Sequence, residues 1–176
     1  MTLRPLDRDD IAGLVRVCAS REVAAMTATI PHPYAASDAE EFLSRLERAW
    51  ERGETACFGI VSGSGLLVGT IGLRIDPANL RAEVGYCIAI EDWGRGYATS
   101  ALRTLIPFAF GPVGLRRLMA HAFPHNAASV RVLRKCGFRE EGLLRQHELK
   151  WGVPTDLLAF GLLREESMLD CPNSFA

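Results

Sequence analysis

The spacing of apolar residues changes several times along the chain, and each change announces an element. Residues 2–5 open as a strand, with Leu3 and Leu6 apolar. Asp9 and Asp10 start a helix that puts Ile11, Leu14, Val15 and Cys18 on one face. Residues 20–36 are irregular, with His32 between Pro31 and Pro33 and Tyr34 following, and read as a loop or short helix. Ser37 and Glu40 have the spacing of a capping box. Behind them Ala39, Phe42, Leu43, Leu46, Ala49 and Trp50 make a buried helical stripe that ends at Gly53.

From Thr55 the period falls to two. Residues 57–61 and 66–75 are strands joined by the turn Ser62-Gly63-Ser64-Gly65, and Gly69 and Gly72 mark a bulge or a close approach. After the turn Asp76-Pro77-Ala78-Asn79, residues 81–90 form the third strand of an antiparallel meander. A loop over residues 91–96 enters an amphipathic helix with Ala98, Ala101, Leu102, Leu105, Ile106 and Ala109 on one stripe, broken at residues 111–114. Residues 117–123 are a strand, and the helical crossover makes it parallel to its predecessor. A helix from Ala127 to Lys135 stops at Cys136-Gly137, and residues 138–146 and 155–163 close as strands. The order β-α-α-β-β-β-α-β-α-β-β predicts an α+β (α/β) fold, a mostly antiparallel sheet with one parallel step.

With 176 residues, 48% of them hydrophobic, the chain suits one domain over residues 1–176. A net charge of −1, with scattered lysines and arginines, argues against nucleic acid or an anionic membrane as partner. No apolar run approaches a membrane span and residues 1–10 carry no signal-peptide core, so a cytoplasmic protein is expected. Cys18, Cys57, Cys87, Cys136 and Cys171 are odd in number and lack CxxC spacing. They read as reduced thiols, mostly in the core, with no metal site.

The chemistry gathers where the third strand meets the glycine loop Glu91-Asp92-Trp93-Gly94-Arg95-Gly96 and the helix behind it. The first turn of a helix has N–H groups without internal partners, and the peptide dipoles add positive charge there. Such a place takes a phosphate or diphosphate. Gly94 and Gly96 let an anion reach the backbone, Ala98 keeps the entrance small, and Arg95 offers a guanidinium. The same pattern also suits a plain tight turn. There is no GxxxxGK[ST] run, and the place of a dinucleotide fold's acidic residue holds Leu115-Arg116-Arg117.

Several pieces, correctly ordered, resemble the GNAT superfamily of acetyl-CoA-dependent N-acetyltransferases, in particular its RimJ/RimL branch of ribosomal-protein N-terminal acetyltransferases. They are Leu3-Arg4-Pro5-Leu6, Pro33-Tyr34 with the following helix, Ala82-Glu83-Val84-Gly85-Tyr86, Trp93-Gly94-Arg95-Gly96-Tyr97-Ala98, Asn126-Ala127-Ala128-Ser129, and Lys135-Cys136-Gly137-Phe138 with Glu141-Gly142. The resemblance spans residues 3–163. Two positions depart from the wider superfamily. Trp93 stands where a Gln or Arg is common, and Leu133 stands where many relatives carry a proton-donating tyrosine.

The resemblance implies a central sheet with one splayed parallel strand pair at the acetyl-CoA site. It implies acetyl-CoA as co-substrate and an amine acceptor, either a protein N-terminus or a small molecule, in a monomer or homodimer. It assigns the strand backbone at Cys87, Ile88, Ala89 and Ile90 to the acyl end and Gly94, Arg95, Gly96, Tyr97, Ala98 and Thr99 to the diphosphate. Asn126 goes to the pantetheine arm or serves as an N-cap. Ser129 is the proton donor to the departing thiolate, or a hydroxyl bonded to backbone. Glu148 and Glu83 are candidate bases, or salt-bridged strand carboxylates. His121, His125 and His147 read as structural or surface residues, and Tyr97 as packing. Two other readings stay open: a CoA-binding sensor without turnover, motivated by Leu133, and a nucleotide or phosphate enzyme of another fold.

Overall fold

The computed structural model describes residues 1–169. The expectation that residues 171–176 fray, and the thiol of Cys171, lie outside that range. Seven strands make one sheet in the order β1-β2-β3-β4-β5-β7-β6: β1 (Thr2–Pro5), β2 (Thr55–Val61), β3 (Leu67–Asp76), β4 (Arg81–Ile88), β5 (Arg117–Ala122), β6 (Arg139–Lys150) and β7 (Val153–Leu163). Every junction is antiparallel except β4 with β5. The helices are α1 (Ile11–Cys18), α2 (Arg21–Ala25), α3 (Ala36–Glu51), α4 (Tyr97–Phe110), α5 (Ala127–Lys135) and α6 (Arg164–Leu169).

Alternation along β4 divides the core in two. Ala82, Val84 and Ile88 join the cluster under α4 and α5, with Leu102, Leu105, Leu118, Leu133 and Phe160. Cys87 and Ala89 join the cluster under α1 and α3, with Leu14, Val17, Ala39 and Leu43. Each fully buried Leu or Phe contributes about 1.5–3 kcal/mol relative to an exposed one. Strands β3 and β4 approach closely at Gly69, where a Cβ would lie 2.3 Å from the Cys87 carbonyl oxygen. No side chain fits there, and this is the close approach expected of that glycine.

Three local expectations are corrected. The capping box does not form at Ser37, which lies inside α3; instead the Asp38 carboxylate accepts the Ala35 N–H at 2.6 Å. Trp50 is 57% exposed, outside the buried stripe. Its partner helix α1 has 8 residues against 16 in α3, about 12 Å against about 24 Å, so the last turns of α3 outrun their cover. The third strand ends at Ile88, because Asp92 N–H bonds Ala89 C=O at 2.9 Å and starts a short 3-10 turn at Ile90–Asp92.

The hairpin of β6 and β7 is longer than its sequence suggests. A register shift between Leu144 and Glu148 carries the strand on to Lys150. Gln146, at φ 49°, sits in that bulge with its N–H bonded to Asp156 at 2.7 Å. Helix α6 was not anticipated; the Arg164 Nε–H holds its start to the Leu115 carbonyl at 2.9 Å.

Candidate active site

Strands β4 and β5 pair only over Arg81–Arg117, Ala82–Leu118 and Glu83–Met119, and then part. The gap opens toward the N-terminus of α4. On the far edge of β4, Ala89 N–H bonds Val68 C=O at 2.9 Å. Neighbouring N–H groups along a strand point to opposite sides. Cys87 and Ala89 therefore spend their N–H groups on β3, and the N–H groups of Tyr86 and Ile88 face the gap.

Gly94 and Gly96 adopt φ of 75° and 81°, and no atom lies within 4 Å of where a Cβ would stand on either. Gly96 is the N-cap of α4, with no side-chain cap; the first internal bond of the helix runs from Ser100 N–H to Gly96 C=O at 3.0 Å. The N–H groups of Tyr97, Ala98 and Thr99 are thereby left over, and no acidic residue occupies that first turn. These features form the wall of a cavity of about 1260 Å³. That exceeds the usual 300–1,000 Å³ of a small-molecule pocket and leaves room for two substrates.

Of the residues expected at the cofactor, Cys87, Ile88, Gly94, Gly96, Tyr97, Ala98, Thr99, Asn126 and Ser129 line this cavity; Ala89, Ile90 and Arg95 do not. Ala89 is buried with its N–H engaged, and Ile90 has turned away into the 3-10 turn. The Arg95 guanidinium is paired with buried Asp92 at 3.1 Å. Asn126 caps α5, its Oδ1 accepting Ser129 N–H at 3.0 Å, while its Nδ2 donates to Met26 C=O at 3.2 Å. Both ends of the amide are thus engaged, joining α5 to the end of α2. Arg131 and Lys135 of α5 also line the cavity and add positive charge that the sequence pattern did not single out.

Ser129 Oγ stands 2.8 Å from the Tyr86 hydroxyl. Burial pushes the Tyr86 phenol up to about 12, against the opposing pull of its bond to Ser129, so the phenol stays protonated. Leu133 lies fully buried in the core. Glu83 Oε1 meets His121 Nδ1 at 2.9 Å, and its Oε2 pairs with Arg74. The bond from His121, helped by the Arg74 charge and opposed by burial, holds the Glu83 carboxyl below the usual range. His147 stacks on His121 with centroids 6.0 Å apart. Half-buried Glu148, on β6 beside His147, lines the same cavity. Burial lowers the Lys150 ammonium, with Glu148 pulling the other way. His121, His125 and His147, read from the sequence as structural or surface residues, all stand in the cavity wall, with His147 exposed.

A strand gap presenting free N–H groups, beside an uncapped helix start, suits an acyl thioester carrying a diphosphate. The residues present fit coenzyme A: backbone amides at residues 96–99 for the diphosphate and the open edge of β4 for the extended arm and acyl end.

The chain is similar to known proteins. The chain is 32% identical over 168 residues to the uncharacterized N-acetyltransferase p20 of Bacillus licheniformis, covering 94% of each chain. It is 27% identical over 145 residues to the spermidine N(1)-acetyltransferase of Vibrio cholerae, covering 82% of each. The structure of Mycobacterium smegmatis RimJ in complex with CoA-disulfide superposes with a TM-score of 0.84 at 28% identity, covering 93% of this chain and 82% of that one. Residues 1–139 match the acetyltransferase (GNAT) domain family, and the chain belongs to it.

Proposed function

We propose that the chain transfers the acetyl group of acetyl-CoA to a primary amine by direct attack of the amine on the thioester. One observation carries this reading: the parallel pair β4–β5 parts after Glu83–Met119, right beside the uncapped start of α4. The Ile88 N–H, facing the gap, is the donor to the developing oxyanion. A preorganised donor of that kind gives on the order of 10²–10³ in rate.

Ser129 supplies a proton to the departing thiolate, and Tyr86 behind it replenishes the hydroxyl through their 2.8 Å bond. This pair takes up the work of the tyrosine that Leu133 replaces, and it removes the motive for a sensor without turnover. Glu148 and Glu83 put negative charge on the acceptor side of the same cavity. They draw in an ammonium and favour passage of its proton into the protein.

The acceptor is a protein N-terminal amine or a small-molecule amine. An α-amine has a reference pKa of about 7.7–8.0 against about 10.4 for lysine, so it needs less help to become neutral. The acceptor side mixes acidic and basic residues: Asp38, Glu41, Glu83 and Glu148 stand with Arg45 and Arg74. The two arginines pair with Glu41 and Glu83, and a wall of both signs supports a peptide end.

The test is release of free CoA thiol from acetyl-CoA in the presence of short peptides with free N-termini, and separately of spermidine. Amine-dependent release with the peptides is expected. CoA binding with no amine-dependent release from any acceptor would leave the sensor; preference for ATP or NAD over CoA in a thermal-shift panel would overturn the family chemistry for this chain.

A further inference from the structure

We infer that His121 is the group that takes the proton of the acceptor amine, with Glu83 as the residue that positions its ring; this rests on the acetyl-transfer reading above. The two side chains come from neighbouring parallel strands, at the point where β4 and β5 stop pairing. Both line the cavity.

The argument is one of occupancy. Glu83 has both oxygens engaged, Oε1 by His121 Nδ1 at 2.9 Å and Oε2 by Arg74. It is held ionised by those partners, so it has little basicity left for an amine. An ionised carboxylate only accepts hydrogen bonds, so Nδ1 of His121 must be the nitrogen carrying hydrogen. The lone pair of the neutral ring is then on Nε2, as in other histidines oriented by a carboxylate. His121 keeps about a quarter of its side chain exposed, which gives the proton a way out to water.

In balanced form, the neutral amine forms the C–N bond at the thioester carbon. Its nitrogen, now positive, gives one proton to Nε2 of His121. The C–S bond breaks with its electron pair on sulfur, and the thiolate takes a proton from Ser129. His121 returns its proton to solvent, the Ser129–Tyr86 pair takes one back from solvent, and the net change is amide plus free thiol. The imidazolium formed meanwhile sits between the carboxylate of Glu83 and the ring of His147. Arg74 lies on the far side of Glu83 and Glu148 lines the same cavity, so these four groups set its charge environment.

Four variants decide the matter: His121→Gln, His121→Ala, Glu83→Gln and Glu148→Gln. Thiol release is followed from pH 5.5 to 9 with acetyl-CoA and the best peptide of the acceptor screen, and CoA affinity serves as the folding control. His121→Gln should lose on the order of 10²-fold in kcat/KM at neutral pH, flatten the acidic limb of the profile, and keep its CoA affinity. Glu83→Gln should lower kcat more than it raises KM, because the ring loses the carboxylate that orients it. Exogenous imidazole should restore part of the rate to His121→Ala.

A His121→Gln enzyme with wild-type rate and limb, or a limb that vanishes only in Glu148→Gln, would overturn the assignment. A second readout needs no turnover. The ¹⁵N shifts of the His121 ring should show hydrogen on Nδ1 in the wild type and a tautomer mixture in Glu83→Gln; hydrogen on Nε2 in the wild type would sink the inference even if acetyl transfer stands. Wild-type protein that turns over no amine would instead remove the parent reading.

Discussion

In the proposed reaction the hydroxyls of Tyr86 and Ser129 take the place of the tyrosine that Leu133 replaces. A thiolate leaving from the β4–β5 gap has Ser129 on the facing helix, and Ser129 has a buried phenol 2.8 Å behind it. Ser129→Ala should therefore lower kcat by about 10²-fold while changing CoA affinity less than threefold. Tyr86→Phe should cost less, since Ser129 keeps its own proton. Thiol-release kinetics and CoA titration separate the two effects, and wild-type turnover in Ser129→Ala would return that serine to a purely structural hydroxyl. Gly96 poses the opposite question, that of room. At φ 81° it is in the left-handed region, and the space where its Cβ would stand is open. Gly96→Val should weaken CoA binding at least tenfold, because a branched side chain would fill the anion's approach and strain the turn. Unchanged affinity in a folded Gly96→Val protein would remove the diphosphate from this loop.

The entrance to α1 shows how one element is fixed. Asp10 is buried, and Arg4 of β1 bonds both its oxygens at 2.7 and 2.6 Å while Asp7 N–H adds a third bond at 3.0 Å. Burial alone would raise this carboxyl; the Arg4 and Asp7 bonds outweigh it and hold Asp10 below the usual carboxylate range. Its folded value lies below its unfolded value of about 3.9, so the stabilisation is complete above about pH 5 and fades as pH falls through the folded value. Asp10→Asn should destabilise the protein by about 1–3 kcal/mol at pH 7, and the gap to wild type should shrink below pH 4. Urea unfolding across that range is the check; a pH-independent gap would remove the ion pair as its cause. Elements of this kind were largely legible in the sequence. Helix α4 follows its apolar stripe and glycine start, and α5 its asparagine start and its stop at Cys136-Gly137. The start of α3 departs from the Ser37 expectation because the Asp38 carboxylate takes the Ala35 N–H, a choice that only the chain path decides. Trp50 fitted the helical period, which says nothing of how far the neighbouring helix reaches. The Glu83–His121 contact joins residues 38 apart, across strands whose parallel pairing the crossover predicts but whose register it does not. No local pattern in the sequence points to it.

At the scale of the whole molecule, the sheet is continuous among the described residues except at one seam, and the candidate site is that seam. Strand β4 is held along its entire length by β3 but by β5 only over its first three residues. The half of β4 nearest α4 has one satisfied edge and one open edge. Amides on the open edge, Tyr86 and Ile88, should exchange with solvent faster than those of Gly85 and Cys87, which the alternation turns toward β3. A ligand that binds only the folded protein at a hundred times its dissociation constant stabilises it by about 2.7 kcal/mol, which slows every globally exchanging amide by about 10²-fold. CoA seated in the seam must do more than that at a few positions. It should add protection at Tyr86 and Ile88, and at Tyr97, Ala98 and Thr99, beyond the uniform factor seen at Ile71 or Leu105, which both lie in the core. Amide exchange with and without CoA measures this directly. Uniform protection with no excess on the open edge of β4 and the first turn of α4 would place the ligand elsewhere, and with it the acetyl group, however well the fold matches.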